Sequence, residues 1–319
     1  MNWVKRLLVA VGGVFLAGSA LAQAWPTKPI NLLIPFPPGT GNDIIGRVLG
    51  AEMSKILGQP VVPDNRAGVS GNIAMEATSK AAPDGYTLVV GSTSYSINLS
   101  TLKGTAPLSS FTPVALVGTL PYTLVISPEL PAKNVKELIA TLKSKQGQYN
   151  AATGGPTGTS FFLAESFKKA SGVPMEIIAY KGTTEAVADL LVGRTHILFA
   201  PMPTSLPYHK SGKLHLLGVT GSKRNVLVPD VPTFNESGFP MLDVGSWYAI
   251  MGPAGIPRAV VTRLNQAVNK AMGVKDVQEK LGNIGVDADT RTPEELEAYL
   301  KKDATTWADM VRDSGIKAQ

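Results

Sequence analysis

Short apolar runs alternate with longer segments of helical period along most of this 319-residue chain. Residues 30–35 read as a buried strand, and the apolar positions of 44–57 recur at spacings of one, three and four, which predicts a helix with one apolar face. The same alternation starts again after residue 134, where Asn134 is a good N-cap for the next helix. This pattern is typical of an α/β fold with largely parallel sheets.

The order of these segments indicates two lobes. The helical segments after residue 258 have almost no strands of their own, so the simplest arrangement returns them to the first lobe. We predict that lobe one comprises 25–122 and 251–319, and that lobe two comprises 123–250. The chain then crosses between the lobes twice, near 122–126 and 247–251, which permits hinge closure around a ligand.

Residues 1–24 are predicted to be an export signal. Lys5 and Arg6 precede an apolar run at 7–22, and small-residue patterns end at positions 22 and 24. The run is shorter than the roughly 20 residues that a membrane-spanning helix needs. We therefore expect a cleaved signal peptide and a soluble periplasmic protein.

Composition and missing motifs exclude several kinds of chemistry. The chain has no cysteine, which excludes disulfides, zinc–thiolate sites and cysteine nucleophiles. Its formal net charge of +6 is scattered, so we expect no nucleic-acid partner. The sequence Gly39-Thr40-Gly41 lacks the third glycine of a dinucleotide fingerprint, because Ile44 stands there. We predict no cofactor, no metal and no catalytic residue.

Loops that join a strand to a helix start are the candidate ligand-binding positions in this sequence. They are rich in Gly, Ser and Thr and occur at 37–43, 153–160 and 180–184, with a fourth hydroxyl-rich loop at 91–96. Ligands bind at the carboxyl ends of strands in open α/β sheets, and helix starts present unpaired N–H groups that suit anions. The predicted ligand-binding residues are Phe36, Pro38, Gly39, Thr40, Asp43, Ser92, Thr93, Gly155, Thr157, Gly158, Thr159, Tyr180, Lys181, Gly182, Ala200 and Pro201.

Several sequence pieces, in order over nearly the whole mature chain, resemble one family. The pieces are WPTKPI (25–30), PFPPG (35–39), Asp43 with Arg47, NRAG (65–68) followed by Gly71, APDGYTL (82–88), YKG (180–182), DVPT (230–233) with Glu236 and Gly238, and GPAGIP (252–257). Together they are similar to the periplasmic solute-binding proteins of tripartite tricarboxylate transporters, often called the Bug family.

The resemblance implies a type II-like periplasmic binding protein fold, with a ligand cleft between two α/β lobes. It also implies that the loop at 36–43 and the loop around Gly158 and Thr159 grip one carboxylate, and that a monomer delivers the ligand to membrane transporter subunits. The family has a glycine pair after the prolines, whereas Thr40 separates Gly39 from Gly41 here. Thr40 offers a hydroxyl donor instead.

Two other functions remain open from the sequence. The same cleft would serve a ligand sensor that presents its closed form to a membrane receptor. A hydrolase or isomerase would use Asp43 or one of the histidines at 196, 209 and 215. At a helix start, however, Asp43 is better explained by pairing with the helix dipole. The ligand is equally open among dicarboxylates, aromatic acids, amino acids and nicotinate-like compounds.

Overall fold

Two sheets organise the chain in the computed structural model, which describes residues 25–145, 147–155, 158–180, 182–221 and 223–315. The predicted export signal, Thr157 and Lys181 lie outside these residues. The strands are β1 (Ile30–Ile34), β2 (Val61–Asn65), β3 (Thr87–Ser92), β4 (Phe111–Leu120), β5 (Tyr122–Ile126), β6 (Asn150–Thr153), β7 (Glu176–Ala179), β8 (Ile197–Pro201), β9 (His215–Val219), β10 (Ser246–Pro253) and β11 (Asp287–Ala288). The helices are α1 (Gly41–Leu57), α2 (Asn72–Ser79), α3 (Thr93–Thr101), α4 (Val135–Ser144), α5 (Thr159–Ser171), α6 (Thr183–Leu191), α7 (Met202–Lys210), α8 (Arg258–Met272), α9 (Lys275–Asn283) and α10 (Pro293–Ser314).

The sheets have the strand orders β11-β4-β10-β3-β1-β2 and β7-β6-β8-β5-β9. The two-lobed α/β fold is therefore confirmed, but the expectation of mainly parallel sheets needs correction, because both sheets are mixed. In the first sheet β10 runs antiparallel to β3 and β4, and in the second sheet β5 runs antiparallel to β8 and β9. β5 and β10 are the strands that follow the two crossings between the lobes. The strands that follow the crossings thus account for every antiparallel pair of the described strands except that of β11 with β4.

Helix α1 shows how the apolar pattern becomes structure. Its buried residues Ile45, Leu49 and Met53 pack on one face of the first sheet. The helix ends at Gly58, which has a left-handed backbone (φ 72°) that favours glycine, and whose N–H donates to the Ser54 carbonyl. In the second lobe, Asn134 caps α4 by accepting a hydrogen bond from the Glu137 N–H at 2.9 Å, as predicted.

The crossings lie at Pro121 and between β9 and β10. All eight residues of β10 pair with β4 in the first sheet, so the predicted division at 250/251 falls inside a strand of lobe one. The apolar run at 247–251 fits a buried strand of either sheet, which is why the sequence does not place this division. We propose that lobe two spans residues 122–245.

The last helix, α10, belongs to both lobes. Leu296 and Leu300 are buried in the core of the first sheet, whereas Trp307 and Val311 are buried in the core of the second. The Trp307 ring packs edge-on against Phe162 of α5, with 6.1 Å between the ring centroids. A helix of 22 residues is about 33 Å long, which is enough to reach from one core to the other. The assignment of this whole helix to lobe one therefore needs correction.

Candidate ligand-binding site

The loop before α1 is held by Asp43. Its Oδ2 accepts a hydrogen bond from the Gly39 N–H, and its Oδ1 accepts from Arg47 Nε and Asn65 Nδ2, all at 2.9 Å. Burial acts to raise the pKa of Asp43, but the hydrogen bonds from Arg47, Gly39 and Asn65 outweigh it and lower the pKa. Asp43 is thus a fixed anion whose oxygens are occupied by the protein, and it positions the loop.

Helix α1 begins with free donors. The Thr40 hydroxyl donates to the Pro37 carbonyl at 2.8 Å, so it caps no N–H of the helix. The N–H groups of Gly41, Asn42 and Asp43 make no hydrogen bond to a described residue. The start of a helix with such donors carries a partial positive charge and suits an anion. The predicted role of the Thr40 hydroxyl as a ligand donor would require it to leave Pro37.

The start of α3 lies beside this loop. Ser92 is 7% exposed, and together with Phe36 it lines a recess in the surface. The Thr93 hydroxyl accepts a hydrogen bond from the Trp247 N–H at 2.8 Å. Thr93 therefore ties the start of α3 to β10, the strand that returns from the second lobe.

In the second lobe, the starts of α5 and α6 meet. A Cβ on Gly154 would lie 2.5 Å from the Thr183 Oγ1, so glycine is what permits the close approach. The Thr153 hydroxyl donates to the Gly155 carbonyl at 2.9 Å and fixes the turn. Gly158, the residue before α5, is exposed and has open space around its Cβ position.

The remaining predicted residues of lobe two are placed as follows. The Tyr180 hydroxyl donates to Asp189 at 2.7 Å. Burial is the main cause that raises the pKa of Tyr180 to about 12, and this hydrogen bond adds to it. Gly182 and Pro201 immediately precede α6 and α7. Pro201 is the register partner of Tyr122, and the Ala200 carbonyl accepts from the Thr123 hydroxyl at 3.2 Å.

Two tyrosines that the sequence analysis missed bring the lobes together. A Cβ on Gly41 would lie 2.7 Å from the Tyr248 hydroxyl. Burial, and to a smaller extent the charge of Tyr122, raises the pKa of Tyr248. The Tyr122 hydroxyl is hydrogen-bonded with the side chains of Ser246 and Thr159. The start of α1 therefore lies beside Tyr248, and the start of α5 lies beside Tyr122. The available signal was the position of Tyr122 and Tyr248 at the crossings, which the sequence analysis treated as hinge segments only.

Burial raises the pKa of both Tyr122 and Tyr248, so both hydroxyls are neutral donors at physiological pH. Within the described ranges, no group of three or more His, Cys, Asp or Glu residues is placed to hold a metal ion. The described helices also include none that is long and apolar enough to cross a membrane. His196 precedes β8, at the opposite end of that strand from Pro201, and its Nδ1 lies 3.0 Å from the Asn150 Oδ1.

The sequence was compared with family models, and residues 45–316 match the model described as "Tripartite tricarboxylate transporter family receptor". The chain belongs to this family. The receptor is 35% identical to the protein BugT of Bordetella pertussis over 327 aligned positions, which cover 99% of each chain. This membership confirms the resemblance seen in the sequence pieces.

Solved structures support the same family and fold. An R. palustris protein solved with adipate is 30% identical, with a TM-score of 0.80 and coverage of 92% of this receptor and 100% of that chain. The periplasmic binding protein BugD is also 30% identical, with a TM-score of 0.77 and the same coverage. The receptor therefore shares its two-lobed fold with periplasmic binding proteins.

Proposed function

We propose that this receptor captures an organic carboxylate between its lobes, in the periplasm, and delivers it to the membrane subunits of its transporter. The observation that carries the proposal is the approach of the α1 start to Tyr248 and of the α5 start to Tyr122, two tyrosines at the crossings between the lobes. One set of donors comes from each lobe, so a ligand that touches both sets favours the closed form. The R. palustris relative solved with adipate supports a carboxylate as the ligand.

The arrangement supports binding better than catalysis. A general base needs free oxygens or nitrogens within reach of a substrate. The Asp43 carboxylate is occupied by Gly39, Arg47 and Asn65, and His196 lies at the far end of β8. The backbone donors and neutral hydroxyls that remain hold an anion without reacting with it.

The test is a thermal-shift screen of the purified receptor with adipate, malate, benzoate, nicotinate and glutamate. A ligand that binds only the folded state at 100 times its Kd stabilises that state by about 2.7 kcal/mol. We expect at least one acid to raise Tm by several degrees, and the corresponding amide to raise it less. A panel in which no acid changes Tm would contradict the proposal.

A pair of glycine variants tests the place of binding. Gly158→Val would put a side chain into the open space before α5, and we expect it to weaken binding of the active acid at least tenfold. Gly282 is also exposed, with open space around its Cβ position, but it lies in α9, outside the cleft. Gly282→Val is therefore the matched control, and its affinity should equal that of the wild type. Equal affinities for all three proteins would place the ligand elsewhere.

A further inference from the structure

Tyr248 is a buried tyrosine with a hydroxyl that the protein does not use. The residue is only 7% exposed and packs in the core of the first sheet. Its hydroxyl makes no hydrogen bond to a described residue. By contrast, the nearby hydroxyls of Tyr122, Thr93 and Ser160 all have protein partners. The Tyr248 hydroxyl is not among the described buried polar atoms that lack a partner, so this atom reaches the surface, where a ligand or water can accept its hydrogen bond.

The position of this hydroxyl indicates what it can bind. It lies 2.7 Å from the place that a Cβ on Gly41 would take, and so beside the start of α1. The N–H groups of Gly41, Asn42 and Asp43 are free at the same place. Ser92, the register partner of Tyr248 in β3, carries a second hydroxyl without a described partner, and paired residues of antiparallel strands have their side chains on the same face. Donors from two strands and one helix thus converge.

We propose that Tyr248 is the residue of lobe one that selects and positions the ligand's carboxylate, by donating its phenolic hydrogen bond to an oxygen that the start of α1 also binds. This inference rests on the proposed function. Backbone N–H groups donate only, and a phenol that is not ionised can join them as a donor. The group they hold best is one that only accepts, which describes an ionised carboxylate and not a carboxamide.

Gly41 fits this role. Gly41 does not have a positive φ, so any residue could adopt its backbone conformation. Its missing side chain is therefore explained by space and not by backbone freedom. An alanine at position 41 would displace the Tyr248 hydroxyl from the helix start.

The first experiment measures binding of adipate, malate, adipamide and malamide by titration calorimetry. Tyr248→Phe keeps the ring in the core and removes only the hydroxyl, and we expect it to weaken binding of the acid at least tenfold while narrowing the preference for acid over amide. The control is Tyr86→Phe, which likewise removes one tyrosine hydroxyl, in this case the acceptor of the Thr27 N–H. Tyr86 lies at the other end of β3, about 20 Å from Ser92. Wild-type affinity in Tyr248→Phe would overturn the inference and leave the proposed function intact.

The second experiment needs no ligand and so separates the two proposals. Gly41→Ala is made in the wild type and in Tyr248→Phe, and the unfolding of all four proteins is compared. We expect the alanine to lower Tm more when the Tyr248 hydroxyl is present than when it is absent. Equal losses in both backgrounds would overturn the placement of the hydroxyl, whether or not any acid binds.

Discussion

Asp43, in lobe one, and Asp303, in the helix α10 that both lobes share, are two shielded carboxylates whose pKa values shift in opposite directions. Each accepts three hydrogen bonds. For Asp43 one donor is the cationic Arg47. For Asp303 all donors are neutral: Trp247 Nε1 at 2.6 Å, Trp307 Nε1 at 3.2 Å, and the Ser96 hydroxyl. The pKa of Asp43 is lowered, while burial outweighs the hydrogen bonds at Asp303 and raises the pKa of that group.

The opposite pKa shifts of Asp43 and Asp303 correspond to the different parts of the molecule that the two carboxylates support. Asp43 orients the loop before α1 through Gly39, Arg47 and Asn65, and a permanent anion keeps that loop in one conformation. Asp303 lies in α10 between the residues that pack on lobe one and those that pack on lobe two. It connects β10, α3 and α10 through the hydrogen bonds that it accepts from Trp247, Ser96 and Trp307. The fixed charge of Asp43 thus supports the loop before α1. Asp303, which takes up a proton more readily, supports the part of α10 that connects the two lobes.

The largest effect is expected from Asp43→Ala. It removes the acceptor of the Gly39 N–H and one of the two acceptors of Arg47 and of Asn65, which keep Asn65 Oδ1 and the Phe36 carbonyl. We expect the free energy of unfolding to fall by about 2–4 kcal/mol. Chemical denaturation measures this loss. The control is Asp64→Ala, which breaks the exposed ion pair with Arg66 and should cost less than about 1 kcal/mol. Similar losses in the two variants would show that the Asp43 network adds nothing beyond a surface pair.

Asp303→Ala should cost less, about 1–3 kcal/mol, because the donors that it strands are neutral. Asp303→Asn keeps an acceptor oxygen and should recover most of this loss at neutral pH. Asp309→Ala on the same helix removes an exposed partner of Arg312 and serves as the control, with little change expected. If Asp303→Asn were as unstable as Asp303→Ala, the charge of Asp303 and not its hydrogen bonds would hold the joint.

The smallest effect concerns pH, and it has opposite signs at the two groups. The pKa of Asp43 lies below its ordinary 3.8 in the folded state, so its stabilisation is present above pH 3.8 and is lost as pH falls through the folded pKa. The pKa of Asp303 lies above 3.8, so its contribution is present below pH 3.8 and is lost as pH rises through the folded pKa.

Unfolding of the wild type, Asp43→Asn and Asp303→Asn between pH 3 and 7 tests these signs. We expect Asp43→Asn to lose less stability than the wild type on acidification. We expect Asp303→Asn to lose less than the wild type as pH rises from 4. Changes of the same sign in both variants would refute the contrast between the two carboxylates.

The sequence predicted what depends on local pattern. The apolar spacing of Ile45, Leu49 and Met53 specifies a helix against a sheet, and the glycine-rich loop at 153–160 marks a helix start at the carboxyl end of a strand. The position of Asp43 at the start of α1 also favoured dipole pairing over catalysis, and the structure adds the bonds from Gly39, Arg47 and Asn65.

What the sequence missed depends on residues far apart in the chain. Tyr122 and Tyr248 each lie in an apolar strand, and nothing local distinguishes them from core aromatics. The Tyr248 hydroxyl becomes a candidate ligand contact only because Gly41, 207 positions away in the chain, lies beside it in the fold. The Tyr122 hydroxyl likewise lies beside Thr159, 37 positions away. Trp307 is a similar case, since a helical period shows which face of α10 is buried but not that the partner changes along the helix.

Because α10 contributes to both cores, it limits which chimeras of this receptor and its relatives can fold. Residues 122–245 form one uninterrupted stretch, which invites the exchange of that stretch between relatives to transfer ligand preference. Yet its core is completed by Trp307 and Val311, more than 60 positions further along the chain. A chimera that takes the stretch alone would pair a foreign apolar face with the resident helix. Modular grafting of the second lobe therefore has to carry the last turns of α10 with it.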